Sequence, residues 1–380
     1  MVKKKQTSEI ARTSIDPKTV SHLWGIAAGR CEMCNQLLHI DPTFGIEGNY
    51  SQNAHIHAVS PNGPRHKGDM GQDEINNHQN LMLLCPIHHK MIDDDETVFE
   101  PRFLIDIKAE HENRIREVTS IPHGQETRMV SYIAPINGFC PEHSSQLFRQ
   151  AVTQNKQYPK QFGVISLNTS QATYEPTQEY YRLRADELSK SFQERMTVIT
   201  EGESISVFPF GLQPLLIKLG TLLKDQNNVS VYQCHRSGHK WAWPVETTTV
   251  PDFVVVCPPH NEAKEIALVI DLSAKVADDR VTALLNANIP IWHLTLKEPN
   301  REFVTSIAVQ EAFYKTFRLL FESIKEKAPQ CKLVHLFPIM PASLNVRLGM
   351  DYMPKADLPI LIYDQGSASG GFFPTIQIGD

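Results

Sequence analysis

Asn80-Leu81-Met82-Leu83-Leu84-Cys85-Pro86-Ile87-His88-His89 ends in a Cys-x-x-His pair, and Cys31-Glu32-Met33-Cys34 supplies a second pair at the same spacing. Two soft-ligand pairs of this kind suit tetrahedral zinc, because a tight turn points both side chains of a pair at one ion. Cys31, Cys34, Cys85 and His88 are therefore read as the ligands of a structural Zn²⁺. The segment they enclose, residues 31–100, is rich in turn formers and poor in periodicity, so a metal is expected to hold up what a small core cannot. Buried thiols with incidental spacing do not account for two correctly spaced pairs.

At 380 residues the chain is long enough for two or three domains, and its 41% apolar and 21% charged residues are those of an ordinary globular protein. Seven cysteines spread over this length do not make a secreted disulfide scaffold; they fit a reducing cytosol, and a cytoplasmic location is expected. The basic start, Met1 to Thr7, leads into no apolar segment of the secretory type. The longest apolar runs, Phe253–Val256 and Ile266–Ile270, have strand length, far below the roughly 20 residues that span a bilayer. The net charge of −6 argues against a protein that coats nucleic acid through bulk electrostatics. Any grip on DNA must be local, from Arg65-His66-Lys67, Arg114, Arg116 or Lys3–Lys5, or shared between several copies of the chain.

Residues 8–30 read as a lead-in and helix, and Phe103, Leu104, Ile107 and Ile115 mark an amphipathic helix over 101–118. Pro122 and Gly124 then stop the pattern, placing a linker over 119–128 between domains at 1–118 and 129–380. Beyond it, strands are expected near 130–136, 205–209, 229–234, 252–257, 266–271, 289–296, 332–337 and 359–363. Helices are expected over 142–152, 178–196, 212–224, 276–287 and 301–327. Short apolar strands alternating with helices indicate an α/β half with largely parallel sheets, divisible into two subdomains. No internal repeat is apparent.

Three polar residues gather around the zinc pairs. In an extended segment His55 and His57 share a face. A neutral imidazole at His55 suits a general base that takes a proton from water. His89 can hold a hard divalent cation that stabilises charge on a scissile phosphate, and Asn80 can orient the base or its loop. This is the layout of a small metal-dependent nuclease. Arg65, in Ser60-Pro61-Asn62-Gly63-Pro64-Arg65, is either a phosphate contact or a solvated loop arginine.

Cys31–Cys34, Ala54-His55-Ile56, Asn80–Cys85 and Pro86–Asp93 together resemble the HNH (ββα-metal) endonuclease family. The resemblance implies an α+β domain in which His55 is the general base, Asn80 the middle residue and His89 a ligand of the catalytic metal, with Mg²⁺ the default ion. His88 stands in place of the family's fourth zinc cysteine, Asp93 falls at a structural Asp, and the helix carrying Lys108 and His111-Glu112 resembles the usual continuation. Many members carry Asp or His directly before the base, as a metal ligand, where this chain has Ala54. His57 is the first candidate to replace it, with Asp73 and His78 behind.

The second half contains strand ends running into Pro- and Gly-rich loops, and in α/β sheets ligands bind outside the carboxyl ends of strands. Ser273 and Lys275 form a phosphate-facing pair, Arg236 and Lys240 are further phosphate candidates, and Trp241 and Trp243 are candidates to stack on a base. The alternative for both tryptophans is core packing. Leu215-Leu216-Ile217-Lys218-Leu219-Gly220 and Phe337-Pro338-Ile339-Met340-Pro341, with Met340 and Pro341 as further ligand candidates, resemble the SAVED domain over roughly residues 125–375. That resemblance implies two fused CARF-like, Rossmann-type subdomains that sense a cyclic oligonucleotide, most simply a cyclic dinucleotide. The whole chain is then similar to the HNH–SAVED effectors of bacterial CBASS anti-phage systems. In those, the bound messenger drives assembly into a homo-oligomer, a dimer or tetramer, that degrades double-stranded DNA, with no membrane involved. Two other readings use the same residues: a restriction-type HNH endonuclease whose C-terminal half recognises DNA, and a zinc-stapled binding protein without catalysis.

Overall fold

Asp16 and Pro17 begin the first helix by the ordinary chemistry of a helix start. The Asp16 carboxylate accepts the Lys18 N–H, and the proline ring presets the first turn of α1 (Pro17–Ile26). A computed structural model describes residues 14–168, 176–224, 226, 228–236, 241–244, 249–366 and 371–379. It divides between Ile121 and Pro122 into two units. Lys240 lies outside the described residues. No described helix is long and apolar enough to cross a membrane.

In the first unit, β1 (Gln52–His55) pairs antiparallel with β2 (Leu81–Leu84), with His55 opposite Leu81. The long excursion between them contains the short α2 (Gln72–Ile75) and a single 3-10 turn, His78–Asn80. Cys85 then caps α3 (Pro86–Asp94), and α4 (Pro101–Thr119) follows. Two strands and a helix form a ββα core in which Ala54, Ile56, Leu81 to Leu84, Ile92 and Leu104 pack with Leu23, Leu38, Cys31 and Cys85. The ββα arrangement that the resemblance implies is thus present, while periodicity alone places neither the hairpin nor α3, because strands of four residues are too short to show a period.

The second unit holds two sheets. The first has β3 (Glu126–Ile133), β4 (Tyr158–Ser166), β5 (Ser204–Phe210) and β6 (Val229–Val231), all parallel, in the order β4-β3-β5-β6. The second runs β12-β11-β10-β8-β9-β7, built from β7 (Phe253–Val256), β8 (Glu265–Asp271), β9 (Ile291–Leu296), β10 (Leu333–Ile339), β11 (Ile360–Gln365) and β12 (Phe372–Ile378). Its four inner strands are parallel in the order β9-β8-β10-β11, the order of the first sheet, and antiparallel β7 and β12 are added at the edges. The helices are α5 (Ser145–Gln154), α6 (Gln178–Arg195), α7 (Gln213–Leu223), α8 (Asp278–Thr282), α9 (Ile307–Lys327) and α10 (Ala342–Asp351).

This common order exposes a duplication, contrary to the reading of no internal repeat. Phe208-Pro209 at the end of β5, followed by Leu215, Ile217-Lys218-Leu219-Gly220 on α7, recurs as Phe337-Pro338, then Leu344, Val346-Arg347-Leu348-Gly349 on α10, at identical spacing. The two helices cross at the matching glycines. A Cβ on Gly220 would run into the Val346 carbonyl and stand 2.8 Å from Gly349 Cα, and a Cβ on Gly349 would meet the Ile217 carbonyl. Only hydrogen fits between these backbones.

Other expectations are corrected by local chemistry. The helix expected over 276–287 is only Asp278–Thr282, because the Asn286 side chain takes the Asn288 N–H in a turn. The helix expected from 301 begins at Ile307, since Asn300 likewise binds the Glu302 N–H. Strands β4 and β12 and helix α10 were not anticipated.

Replacing Gly220 or Gly349 by alanine is expected to cost about 3 kcal/mol or more through backbone overpacking, read as a lower urea midpoint for the second unit. A milder effect is expected at Glu203, whose carboxylate accepts from Lys160 Nζ (2.5 Å) and Arg128 Nε (2.9 Å). These contacts hold its pKa at about 2, below the ordinary 4.5. A lowered carboxylate stabilises the fold above its unfolded value and loses that contribution as pH falls through the folded one. The stability difference between the native chain and Glu203→Gln should thus be constant above pH 4.5 and vanish toward pH 2.

Candidate functional site

Cys31, Cys34, Cys85 and His88 converge, each offering one ligand atom within 4.8 Å of the others. Cys31 Sγ lies 3.7 Å and Cys85 Sγ 3.1 Å from His88 Nδ1. Ligands of one tetrahedral zinc at bonds of about 2.3 Å stand roughly 3.7 Å apart, so the donor set and its spacing fit Zn²⁺. Burial pushes the Cys34 thiol up to about 11, and Cys31 and Cys85 add to the shift. Thiols gathered this way ionise together only beside a cation.

The Cys31–Cys34 turn is stitched to β2 by Glu32, a residue that spacing alone does not pick out. Its N–H donates to the Leu83 carbonyl (3.0 Å), and its carboxylate accepts the Leu83 N–H (2.9 Å). Lys108 on α4 reaches Glu32 at 3.4 Å and also pairs with Glu112. Burial raises the Glu32 pKa to about 7 against the pull of Lys108. His111 bonds the Ala27 carbonyl (3.1 Å), and burial lowers its pKa. The residues that resembled a family continuation thus brace the Cys31–Cys34 turn and the end of α1.

His55 ends β1 half-buried, with Nε2 3.1 Å from Asn76 Oδ1. An amide oxygen can only accept, so Nε2 carries the hydrogen and the basic lone pair belongs to Nδ1. Asn76 is a further residue the sequence did not single out; the tandem Asn76-Asn77 before the 78–84 run was its only signal. Asn80, 5% exposed, ties the excursion shut. It donates to the carbonyls of His57 (3.0 Å) and Ile75 (2.8 Å) and accepts the His57 N–H (2.9 Å). These bonds hold the loop that follows His55 against the Ile75 turn.

Arg65 is neither a phosphate contact nor solvated. Its side chain is 2% exposed, at a left-handed backbone (φ 53°), and it donates to the Ile56 carbonyl (2.8 Å), to the Ile92 carbonyl, to the His55 carbonyl (3.4 Å) and to Asp93 Oδ1 (3.2 Å). Desolvation is offset because each face of the fork meets an acceptor. Asp93 Oδ2 in turn lies 3.6 Å from His89 Nε2 on α3. The strand end bearing His55 and the helix bearing His89 are therefore linked through one guanidinium.

His57 does not join His89 in any metal-binding group of three or more among the described residues. Its Nδ1 bonds the Arg65 carbonyl (2.9 Å), and its ring lines a cavity of about 350 Å³ with Asn80, Lys67, Asp69 and Glu74. His78 stacks on His22 (4.3 Å between centroids), and Asp73 is exposed in the first turn of α2.

In the second unit, Trp241 is not available to a ligand. It is 1% exposed among Phe148, Phe208 and Tyr232, and its Nε1 donates to the Glu142 carbonyl (3.1 Å). Met340 and Pro341 are likewise buried just before α10, where Gln213 at the start of α7 accepts the Met340 N–H (3.2 Å). Large apolar side chains after a strand end look alike in sequence whether they face a ligand or the neighbouring subdomain. Trp243 is half-buried beside Tyr232 and His235, and Arg236 is exposed. Ser273 is half-buried, and Lys275 Nζ reaches Thr295 Oγ1 (2.7 Å) at the carboxyl end of β9.

Cys85→Ser is expected to abolish stoichiometric zinc and to unfold residues 14–121 at temperatures where the second unit still stands. Zinc content together with two-stage thermal denaturation checks both halves of this outcome, and strong chelation of the native chain should reproduce it.

The profile of the HNH endonuclease family matches residues 31–100. That of the SAVED family, described as a sensor domain associated with SMODS and fused to various effectors, matches residues 188–378. No match was found among curated proteins. Among solved structures, similarity extends to a SAVED/CARF-domain Cap4 receptor of Acinetobacter baumannii bound to the cyclic trinucleotide 3'3'3'-cAAA (9% identity, 77% of this chain and 62% of that one, TM-score 0.45). A corresponding receptor from Moraxella osloensis matches at 10% identity, 77% and 60% coverage and TM-score 0.37. This chain thus spans less than two thirds of the length of either. With half its length in the sensor domain and a ββα unit that carries the Cys31, Cys34, Cys85 and His88 cluster before it, the chain belongs to the SAVED family and carries an HNH endonuclease domain at its N-terminal end.

Proposed function

We propose that this protein is an HNH-type DNA endonuclease, switched on when a cyclic oligonucleotide occupies its SAVED domain, and that it serves in the cytoplasm as an anti-phage effector of the CBASS kind. The observation that carries the reading is the placement of His55. Its basic Nδ1 is set by Asn76, its loop is closed by Asn80, and its strand is fastened to the His89 helix, all within a zinc-closed domain fused to a sensor.

In the reaction, His55 Nδ1 removes a proton from water as the water oxygen bonds to phosphorus and the bridging P–O bond breaks. Asn76 holds the ring in the tautomer this needs. A divalent cation at His89, with Mg²⁺ the expected ion, supplies charge neutralisation at the phosphate oxygens. The N-terminal 118 residues hold 13 Lys and Arg against 17 Asp and Glu, which gives one copy a weak electrostatic grip on DNA. Double-stranded DNA as substrate therefore goes with a homo-oligomer, a dimer or tetramer, in which several grips add.

The activator is taken to be a cyclic dinucleotide. Ser273, Lys275, Arg236 and Trp243 remain the side chains assigned to it; Lys240 belongs to the same proposal from sequence alone. Binding acts on cleavage through the association equilibrium, a coupling between separate sites.

Plasmid cleavage in Mg²⁺ with a panel of cyclic di- and trinucleotides tests the reading. Cutting is expected with one messenger only, and His55→Ala should lower the rate at least a hundredfold while leaving zinc content and messenger binding intact. Cutting without any messenger would refute the gating; full activity in His55→Ala would refute the assigned base.

A further inference from the structure

We infer that Asp93 is the second protein ligand of the catalytic divalent cation, an inference that rests on the nuclease reading above. The position before the base cannot supply that ligand, because Ala54 is 1% exposed and faces the core. The alternatives in sequence are engaged or remote: His57 is turned into its cavity with Nδ1 on the Arg65 carbonyl, and His78 is stacked on His22. Asp93 sits one helical turn beyond His89 on the same face of α3, with Oδ2 3.6 Å from Nε2. Two ligands of one octahedral ion at bonds of about 2.1 Å stand roughly 3 Å apart, so a small rotamer adjustment brings this pair to an ion.

The remaining geometry favours this assignment. Arg65 Nη2 engages Asp93 Oδ1 and leaves Oδ2 toward His89. The same nitrogen touches the His55 carbonyl, so the ligand carboxylate and the base strand share one anchor. The side chains of His89 and Asp93 are 34% and 41% exposed, which leaves the outer side of the pair open to water and phosphate oxygens. One imidazole and one carboxylate, completed by water and substrate, is how Mg²⁺ is held in phosphoryl-transfer sites. An ordinary helical ion pair is the competing account of the same contact.

The test is Mn²⁺ binding to the zinc-loaded full-length protein, followed by electron paramagnetic resonance of free Mn²⁺, without DNA or messenger. Asp93→Asn and His89→Ala are each expected to weaken binding at least tenfold, and His57→Ala to leave it unchanged. Wild-type affinity in Asp93→Asn with loss in His89→Ala would make Asp93 an ion-pair partner and overturn the inference, leaving the nuclease reading intact. Wild-type affinity in both would overturn the inference and the placement of the metal at His89 together. Should Asp93→Asn lose its zinc or its fold, Asp93→His decides, since its nitrogen suits Co²⁺ better than Mg²⁺. A shift of at least tenfold in preference from Mn²⁺ to Co²⁺ supports the inference, and an unchanged preference refutes it.

Discussion

Convergence of four ligand atoms from two distant turns is what the nuclease unit depends on. Its apolar core is a short hairpin, parts of three helices and little else, too small to close a long, turn-rich excursion alone. Cys85 is both a member of the candidate zinc cluster and the residue from which α3 starts, and His89 follows His88 on that helix. A metal closing Cys31, Cys34, Cys85 and His88 therefore also sets the height and rotation of the helix that presents His89. Glu32 does the corresponding work for the other pair, fastening the first turn to β2 with two hydrogen bonds. The candidate zinc cluster and the helix that carries His89 are thus mechanically continuous.

A different constraint organises the sensor unit. Two copies of a four-stranded parallel unit dock through α7 and α10, and they can do so only because neither matching glycine has a side chain. Close backbone approach brings Gln213 and Gln233 to the start of α10 and the segment just before it, where they bond Met340, Ser343 and Asn345 across the joint. Buried amides of this kind fix one relative placement of the two halves, since any slip leaves polar groups unsatisfied. A joint so specified is suited to a sensor, whose task is to convert occupancy into one particular rearrangement.

Arg65 shows how charge in a sequence misleads. An arginine in a Pro- and Gly-rich loop of a nuclease suggests contact with phosphate, yet here it is folded inward onto three carbonyls and a carboxylate. The acidic balance of the unit is in keeping with that. A cation spent on internal architecture in this way is withdrawn from the surface of the unit.

The zinc set was legible in the sequence because ligand spacing is local: a two-residue gap turns both side chains of a pair toward one ion wherever the chain goes. The α/β nature of the second half was legible for a like reason, since strands buried on both faces must be apolar throughout. The duplication was written in the chain as well, but its matching positions are few, and they acquire meaning only when Gly220 is seen against Gly349. Tertiary structure alone decided whether Trp241 faced a ligand or the core and whether Arg65 pointed out or in. Those outcomes turn on which distant segments pack together, and residue type and local spacing carry no information about that.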